Sequence, residues 1–232
     1  MIDFVKKLLF VRKCICCGEV LENDTQAFCP KCQLEVEKLC RIPCRICGKS
    51  ERDCRCLTKN LHGLAFVGVH LFAFDNTRSR RLIYTLKRQN LKALHQTLAK
   101  MLADAISDAP LVLSDYVITY APRKPKSIRE YGFDQAALLA DALAKALHLP
   151  MIDLFCHARF SQLQKNLGAK ERAENAEKSY SLRKDASAMT KKLIIVDDVI
   201  TTGSTMAALC SLAKSLGFEE IVVVSVAQTP SK

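Results

Sequence analysis

Four closely spaced pairs of cysteines near the amino terminus constrain the fold of this chain more than any other feature. The pairs are three C-x2-C motifs and one C-x-C motif, at Cys14 and Cys17, Cys29 and Cys32, Cys44 and Cys47, and Cys54 and Cys56. A C-x2-C turn presents two thiolates to one zinc ion, and its repetition makes this interpretation far stronger than a single pair would. Because four thiolates leave no open position for a substrate, the spacing predicts structural zinc.

These eight cysteines allow one or two zinc ions. Sequential pairing places the first two pairs in one site and the last two pairs in another. Interleaved pairing and a single occupied site are the alternatives. Cys16 and Cys40 fall outside the spacing, and we expect them not to bind metal. Buried cysteines without any metal are a further interpretation, which the repetition of the pairs disfavours.

The context of the cysteines favours metal over disulfides. Met1–Lys13 mixes charged and apolar residues and does not resemble a signal peptide, and no stretch approaches the roughly 20 apolar residues of a membrane span. We therefore expect a chain that is not inserted in a membrane and that lies in the reducing cytoplasm. Close cysteine pairs in that compartment are typical metal ligands.

Downstream of the cysteines, apolar strands alternate with amphipathic helices. We expect a boundary near Leu57–Gly63 that separates a zinc-binding module at 1–60 from a second domain at 61–232, each with its own core. The predicted strands are Phe66–Phe72, Val117–Ala121, Leu193–Val196 and Ile221–Ala227. The predicted helices are Asn76–Leu86, Leu91–Ile106, Ala136–Leu147 and Met206–Leu216. This alternation is typical of an α/β fold, with a parallel sheet covered by helices.

The segment from Leu193 to Thr205 carries the strongest signal for a ligand site. Its apolar strand ends in two adjacent carboxylates, Asp197 and Asp198, and open α/β sheets bind ligands at the carboxyl ends of their strands. The small residues of Thr201–Thr205 then enter a helix, where backbone N–H groups and hydroxyls can surround a phosphate. Two acids beside such a loop suit ribose 5-phosphate. The alternative is the Walker B strand of an ATPase, but the chain contains no complete Walker A motif.

Val196–Thr205 resembles the signature of type I phosphoribosyltransferases, which bind phosphoribosyl pyrophosphate (PRPP). The whole chain, cysteines included, resembles the ComF/GntX family of competence and DNA-utilisation proteins. Further segments that carry this resemblance are Thr85–Lys87, Tyr120–Gln135 and Gln164–Asn175. The resemblance implies a type I phosphoribosyltransferase-like parallel sheet flanked by helices, behind a small cysteine-rich module similar to a double zinc ribbon.

The resemblance also implies a site for PRPP or a related ribose phosphate, with Mg²⁺ carried by the pyrophosphate. The candidate substrate-binding residues are Val196, Asp197, Asp198, Thr201, Thr202, Gly203, Ser204, Thr205, Lys87, Arg123, Arg129 and Arg172. Tyr131 and Asp134 depart from the family pattern, which usually has Arg and Asn at these positions. Both departures make the expected pyrophosphate loop less positive, so pyrophosphate binding is expected to be weaker or to depend on the neighbouring basic residues at 123–129. No residue is assigned as a general base.

The chain carries 35 lysines and arginines against 24 acidic residues, and this net charge of +11 favours an anionic partner. Basic residues form clusters at 78–88, 123–129 and 165–172. Trp is absent and aromatic residues make up 6% of the chain, so charge rather than base stacking is expected to bind a single-stranded DNA backbone. A solvated basic surface without a partner is the alternative.

Two functions are compatible with these features. The first is a binding protein for PRPP and single-stranded DNA that acts in natural transformation, with proteins of the competence machinery as partners, as the resemblance implies. The second is an active phosphoribosyltransferase with an unknown small-molecule acceptor. The basic charge favours the first function, and the intact acid pair is compatible with both. None of the five histidines has ligand or triad spacing, so we interpret all of them as structural.

Overall fold

The computed structural model describes residues 11–23, 25–75, 77–158, 179–188 and 190–230. The strands are β1 (Val67–Ala73), β2 (Tyr116–Tyr120), β3 (Phe155–His157), β4 (Tyr180–Leu182), β5 (Lys192–Ile200) and β6 (Glu220–Gln228). The helices are α1 (Pro30–Cys40), α2 (Thr77–Arg88), α3 (Lys92–Ser107), α4 (Pro125–Tyr131), α5 (Gln135–Leu147) and α6 (Ser204–Ser215). Short 3-10 turns lie at Glu51–Asp53, Lys59–Leu61 and Leu113–Asp115. No helix in these ranges is long and apolar enough to cross a bilayer.

Four of the strands form a parallel sheet in the order β1–β6–β5–β2. The central strands β5 and β6 are nearly continuous runs of buried Leu, Ile and Val, because helices cover both faces of the sheet. In register, Val196 of β5 lies between Tyr120 of β2 and Val224 of β6. The predicted fold class, a parallel α/β sheet flanked by helices, is confirmed.

Successive residues of β5 point to opposite faces of the sheet and belong to separate apolar clusters. Ile194 and Val196 pack with α3 and α5 on one face. Leu193 and Ile195 pack with α6 on the other face. The same alternation continues beyond Val196, and it assigns the two acids that follow to different faces of the sheet.

The expectation that the cysteine module has its own core is wrong. Leu21, Phe28, Val36 and Leu39 belong to the same buried cluster as Val69 and the other residues on that face of the sheet. A segment of about 50 residues cannot bury enough apolar surface by itself, so its apolar side chains pack against the edge of the sheet at β1. The boundary at 57–63 is therefore a change of chemistry along the chain and not a gap between two cores.

Helix α1 within the cysteine module and two later features were not predicted from the sequence. The basic segment after Pro122 contains a short helix, α4, which begins with Pro125 at its first position and ends at Gly132 in the left-handed conformation, with φ of 81°. The strands β3 and β4 pair antiparallel, away from the main sheet. Both of these later features lie between β2 and β5.

Candidate functional site

The cysteines come together in two groups of four. Cys14, Cys17, Cys29 and Cys32 form one group, and Cys44, Cys47, Cys54 and Cys56 form the other. Within each group all sulfur atoms lie within 4.8 Å of one another, and the Cys17 and Cys29 sulfurs are 3.7 Å apart. Four thiolates at a zinc–sulfur distance of about 2.3 Å would have sulfur–sulfur edges of about 3.8 Å. The donor set and its spacing therefore fit two metal ions with sequential pairing, and the interleaved alternative does not fit.

The two groups are built on the same turn. Cys14 and Cys44 each donate a backbone hydrogen bond of 2.7 Å to the carbonyl five residues ahead. Gly18 and Gly48 donate back to the carbonyls of these cysteines, at 2.8 and 2.9 Å. Both glycines have positive φ, 81° and 71°, which a residue with a side chain rarely adopts. This repeat explains why a glycine follows the first pair of each group, and Cys16 and Cys40 lie outside both groups as expected.

Asp198 lies on the face of the sheet covered by α5, and its side chain is only 3% exposed. Gln135 at the start of α5 donates to it from Nε2 at 3.0 Å. Lys87 at the end of α2 places its ammonium 3.4 Å from the other carboxylate oxygen. The structure therefore brings the predicted Lys87 to the acid pair, and it adds Gln135, which sequence reasoning placed in a matching segment but not in the site.

Asp197 faces the opposite side of the sheet and lines a pocket with the loop that follows it. Burial raises its pKa well above the usual value, and the negative charge of Asp198 adds to this effect. Burial also raises the pKa of Asp198, although Lys87 and the hydrogen bond from Gln135 partly oppose it. A ligand that donates hydroxyl hydrogens to these carboxylates would favour their ionised forms.

The loop of the candidate site turns at Gly203, whose φ of 81° requires a glycine. Helix α6 begins at the next residue, Ser204, whose N–H donates to Thr202 Oγ1 at 3.4 Å. The other N–H groups of this turn have no side-chain cap among the described residues and are aligned with the positive end of the helix dipole. The pocket is lined by Asp197, Val199, Ile200, Thr201, Thr202, Gly203, Ser204, Thr205 and Met206. Of the predicted residues at 196–205, Val196 and Asp198 do not line this pocket, because Val196 is buried in the sheet and Asp198 faces Gln135 on the other side of it.

A segment from the cysteine module reaches this loop. Asn60 donates from Nδ2 to the carbonyl of Thr202 at 3.0 Å and to Ser204 Oγ at 3.3 Å. Thr58 packs against Gly203 so closely that a Cβ at that position would collide with its hydroxyl. Sequence reasoning missed both contacts, because a threonine and an asparagine after the last cysteine carry no motif.

Tyr180 is a further residue that sequence reasoning missed. Burial raises the pKa of its hydroxyl, and the side chain of Thr205 partly opposes this effect. Its ring stacks on His157, with ring centroids 4.6 Å apart, and that imidazole contacts the Pro122 carbonyl at 3.0 Å. The β3–β4 strand pair thus lies beside α6.

Arg123 and Tyr131 have structural roles beside the site. The Arg123 guanidinium donates to the carbonyls of Lys87 and Phe133, at 2.8 and 3.2 Å. It also lies 4.5 Å from the centroid of the Tyr131 ring, and Arg88 lies 5.7 Å from the same ring. The tyrosine at the position where the family usually has arginine is therefore in contact with two guanidinium groups.

Asp134, the second departure from the family pattern, caps helix α5. Its carboxylate accepts hydrogen bonds from the backbone N–H groups of Ala136 and Ala137. It accepts a third from the backbone N–H of Arg123, at 2.7 Å. Three such bonds and the positive end of a helix offset its negative charge. Both departures are thus accounted for by local structure.

The remaining basic candidates are distributed differently. Lys124, Lys126 and Arg129 lie exposed on or next to α4, and within the described ranges none of them forms an ion pair. Arg172, together with Lys165 and Lys170, lies outside the described residues.

Comparison with known proteins identifies the family. The pattern of the phosphoribosyl transferase domain matches residues 134–232. Competence protein F of Haemophilus influenzae is 33% identical over 153 residues, which cover 63% of this chain and 66% of that protein, just under two thirds of its length. Competence protein ComFC of Streptococcus pneumoniae is 22% identical over 228 residues, which cover 92% of this chain and 98% of the relative. The chain belongs to the ComF family.

Two further comparisons concern this ComF-family chain. DNA utilization protein YhgH of Escherichia coli K12 is 26% identical over 218 residues, which cover 93% of this chain and 90% of the relative. The match to the solved structure of glutamine PRPP amidotransferase from B. subtilis covers 63% of this chain and 30% of the amidotransferase chain, at 19% identity and a TM-score of 0.41. The domain match begins at Asp134 and includes both acids and the whole loop, whereas Lys87, Asn60 and both cysteine groups precede it.

Proposed function

We propose that this ComF-family chain binds PRPP, or a related ribose phosphate, at Asp197–Thr205. The observation that carries the proposal is the position of two carboxylates near the end of β5, which leads through a short loop and a glycine turn into a helix N-terminus. The loop N–H groups and the hydroxyls of Thr201, Thr202, Ser204 and Thr205 would bind the 5-phosphate. The carboxylates would accept hydrogen bonds from the ribose hydroxyls.

Other residues would act on the rest of the ligand. Lys87 is near enough to the acid pair to contribute positive charge at the pyrophosphate, and Arg129 and Arg172 are further candidates from the family resemblance. Arg123 would act mainly by holding the end of α2 against the start of α5, because its guanidinium is engaged with two carbonyls. Mg²⁺ would enter with the ligand as a partner of the pyrophosphate oxygens and would neutralise part of their charge.

We also propose that both cysteine groups hold structural zinc, in a module at 1–60 that precedes a phosphoribosyltransferase-like domain at 61–232. Eight thiol ligands in two closely spaced sets support this metal, because zinc prefers four sulfur ligands in a tetrahedron. Ligand thiols must stay reduced, so we place the protein in the cytoplasm.

The biological role that we propose is DNA uptake and utilisation in natural transformation, with single-stranded DNA as a second ligand and competence proteins as partners. The names of the relatives and the unpaired cations at Lys124, Lys126 and Arg129 support this role. The alternative is an active phosphoribosyltransferase with a small-molecule acceptor. The acid pair, which would stabilise positive charge on the ribose during transfer, favours it as a second candidate.

Titration of the purified chain with PRPP–Mg²⁺ and with single-stranded DNA, separately and in competition, tests both ligands. We expect Asp198→Ala to weaken PRPP binding by about 1–3 kcal/mol, or roughly 5- to 150-fold, because a buried charged acceptor is lost. Asp141→Ala, which removes an exposed carboxylate on α5, is the control. Equal PRPP affinity in both variants would place the ligand elsewhere.

A further inference from the structure

The cysteine module contacts the candidate phosphate loop two residues after its last predicted metal ligand. Thr58, which follows Cys56 by two positions, is only 4% exposed and packs against Gly203. Its hydroxyl has no hydrogen-bond partner among the described residues, so this contact is one of shape. While Thr58 stays in this position, the turn at 203 has room for a glycine only.

Asn60 holds the loop on both sides of that glycine. Its amide donates to the Thr202 carbonyl and to Ser204 Oγ, which come just before and just after the turn. The next residue, Leu61, is fully buried in the apolar cluster that α6 forms with the sheet. We call Thr58–Leu61 the latch. It contacts the loop where the first N–H groups of α6 point toward the pocket.

The other end of the latch is fixed by the second cysteine group. Cys54 is fully buried, and its sulfur accepts a hydrogen bond of 3.3 Å from the N–H of Cys56. On the side facing the sheet, Glu51 and His70 form a buried pair at 2.6 Å. Four thiols that share a metal define the position of residues 54 and 56 closely, whereas four thiols without a metal have only weak contacts with one another.

We propose that Thr58 and Asn60 are positioning residues that couple metal occupancy of the second cysteine group to the affinity of the loop for ribose phosphates. The inference rests on the proposed function, because it concerns PRPP binding at the same loop. Metal bound by the second cysteine group fixes the position of the latch. The latch in turn fixes the Thr202 carbonyl, the turn at Gly203 and the Ser204 hydroxyl. Coupling of this kind is reciprocal, so PRPP must strengthen metal binding at the second group by the same factor.

Cys17 and Cys47 offer a matched pair of variants. Each is the exposed second cysteine of a C-x2-C turn, one in each group, but only the second group leads into the latch. We expect Cys47→Ser to weaken PRPP–Mg²⁺ binding about tenfold in calorimetry, and Cys17→Ser to change it less than twofold. Both full-length variants would be measured at a temperature at which circular dichroism shows them folded. Equal effects of the two variants would overturn the proposal.

Metal release gives a readout that does not depend on the affinity measurement. With a colorimetric chelator, PRPP–Mg²⁺ should slow release of one zinc equivalent from the wild type about tenfold and leave the other unchanged. The affected equivalent should be the one that remains in Cys17→Ser and is lost in Cys47→Ser. Slowing of both equivalents, or of neither, would contradict the coupling.

The latch itself is tested by Asn60→Asp, which replaces the donor with an acceptor of the same shape. We expect a threefold to tenfold loss of PRPP affinity, as for one lost hydrogen bond, and faster amide exchange at 203–205 in the absence of ligand. His62→Ala, which changes an exposed residue just beyond the latch, is the control.

If the wild type binds no PRPP, the proposed function fails, but faster amide exchange in Cys47→Ser and Asn60→Asp still tests the coupling. If PRPP binds and both variants match the wild type, the coupling is wrong and the proposed function stands.

Discussion

The two cysteine groups have the same turn and the same sequential ligand pattern, yet they are attached to the molecule in different ways. Cys14 and Cys29 of the first group belong to the main apolar cluster of the sheet, together with Phe28 and Val36. None of the four cysteines of the second group belongs to either apolar cluster. The first group is therefore integrated into the core, while the second lies outside it.

Polar contacts and the chain itself connect the second group to the rest of the molecule. Glu51 pairs with His70 of β1, and Arg55 donates to the carbonyl of Ala105 at the end of α3 at 2.8 Å. Beyond Cys56 the chain continues directly into the latch. The difference indicates that one motif, used twice, serves two purposes: the first group completes the core, and the second positions the candidate site.

The largest effect that tests this comparison is on stability. Cys14 and Cys44 are buried cysteines at the same position of the repeated turn, and we expect Cys14→Ser to lower the free energy of unfolding by about 5 kcal/mol. Cys44→Ser should cost about half as much, because no apolar cluster depends on it. Urea unfolding with parallel zinc analysis gives both values.

Cys16→Ser is the control for that comparison, since Cys16 belongs to neither cysteine group. A single cooperative transition is expected in the wild type, because the module and the sheet share a core. Two separated transitions, with the second unaffected by Cys14→Ser, would restore the view of two independent cores and contradict the comparison.

The local features could be predicted from the sequence, and the contacts between distant segments could not. Cysteine spacing predicts the ligand sets, and the apolar run at Leu193–Val196 predicts a central strand, because spacing and periodicity are properties of neighbouring residues. The predicted end of that strand at the acids is wrong, since β5 continues through them to Ile200. The contact of Asn60 with Thr202 joins residues 142 positions apart, and it depends on how the module packs. Tyr131 shows the same limit, since its ring at the end of α4 contacts Arg88 at the end of α2 and Arg123 in the loop after β2.

The next effect, smaller than the first, is the pH dependence of stability, and it distinguishes the role of the acid pair from that of the latch. Burial raises the pKa of Asp197 and Asp198, so above the ordinary value of about 3.9 the folded chain binds more protons than the unfolded chain. Their contribution to stability therefore falls as the pH rises from about 4 through the raised pKa of the folded state. Asp198→Asn should remove much of this dependence, because it eliminates one carboxyl and the repulsion on the other.

Urea unfolding between about pH 5 and pH 8 measures this effect as the difference between wild type and Asp198→Asn. The variant should gain stability relative to the wild type as the pH rises. Cys47→Ser, which acts on the loop and not on the carboxylates, should show a pH dependence parallel to that of the wild type. A parallel curve for Asp198→Asn would mean that the acids have ordinary pKa values in the folded chain.

The smallest effect concerns the basic surface, which neither cysteine group supplies. Replacement of Lys124, Lys126 and Arg129 by Gln should lower the salt dependence of single-stranded DNA binding by about two units of log–log slope, at roughly 0.7 for each lost phosphate contact. We leave Arg123 unchanged because its guanidinium is engaged with backbone carbonyls, so its loss would disturb the fold as well as the charge.

The control, with the same change in net charge, replaces three exposed lysines that each pair with a carboxylate, namely Lys38, Lys145 and Lys191. The control variant, Cys17→Ser and Cys47→Ser should all keep the wild-type slope in fluorescence anisotropy titrations at several salt concentrations. A wild type that fails to bind at low salt would remove DNA from the proposed function, and a reduced slope in the control variant would mean that net charge, and not the surface at α4, attracts the strand.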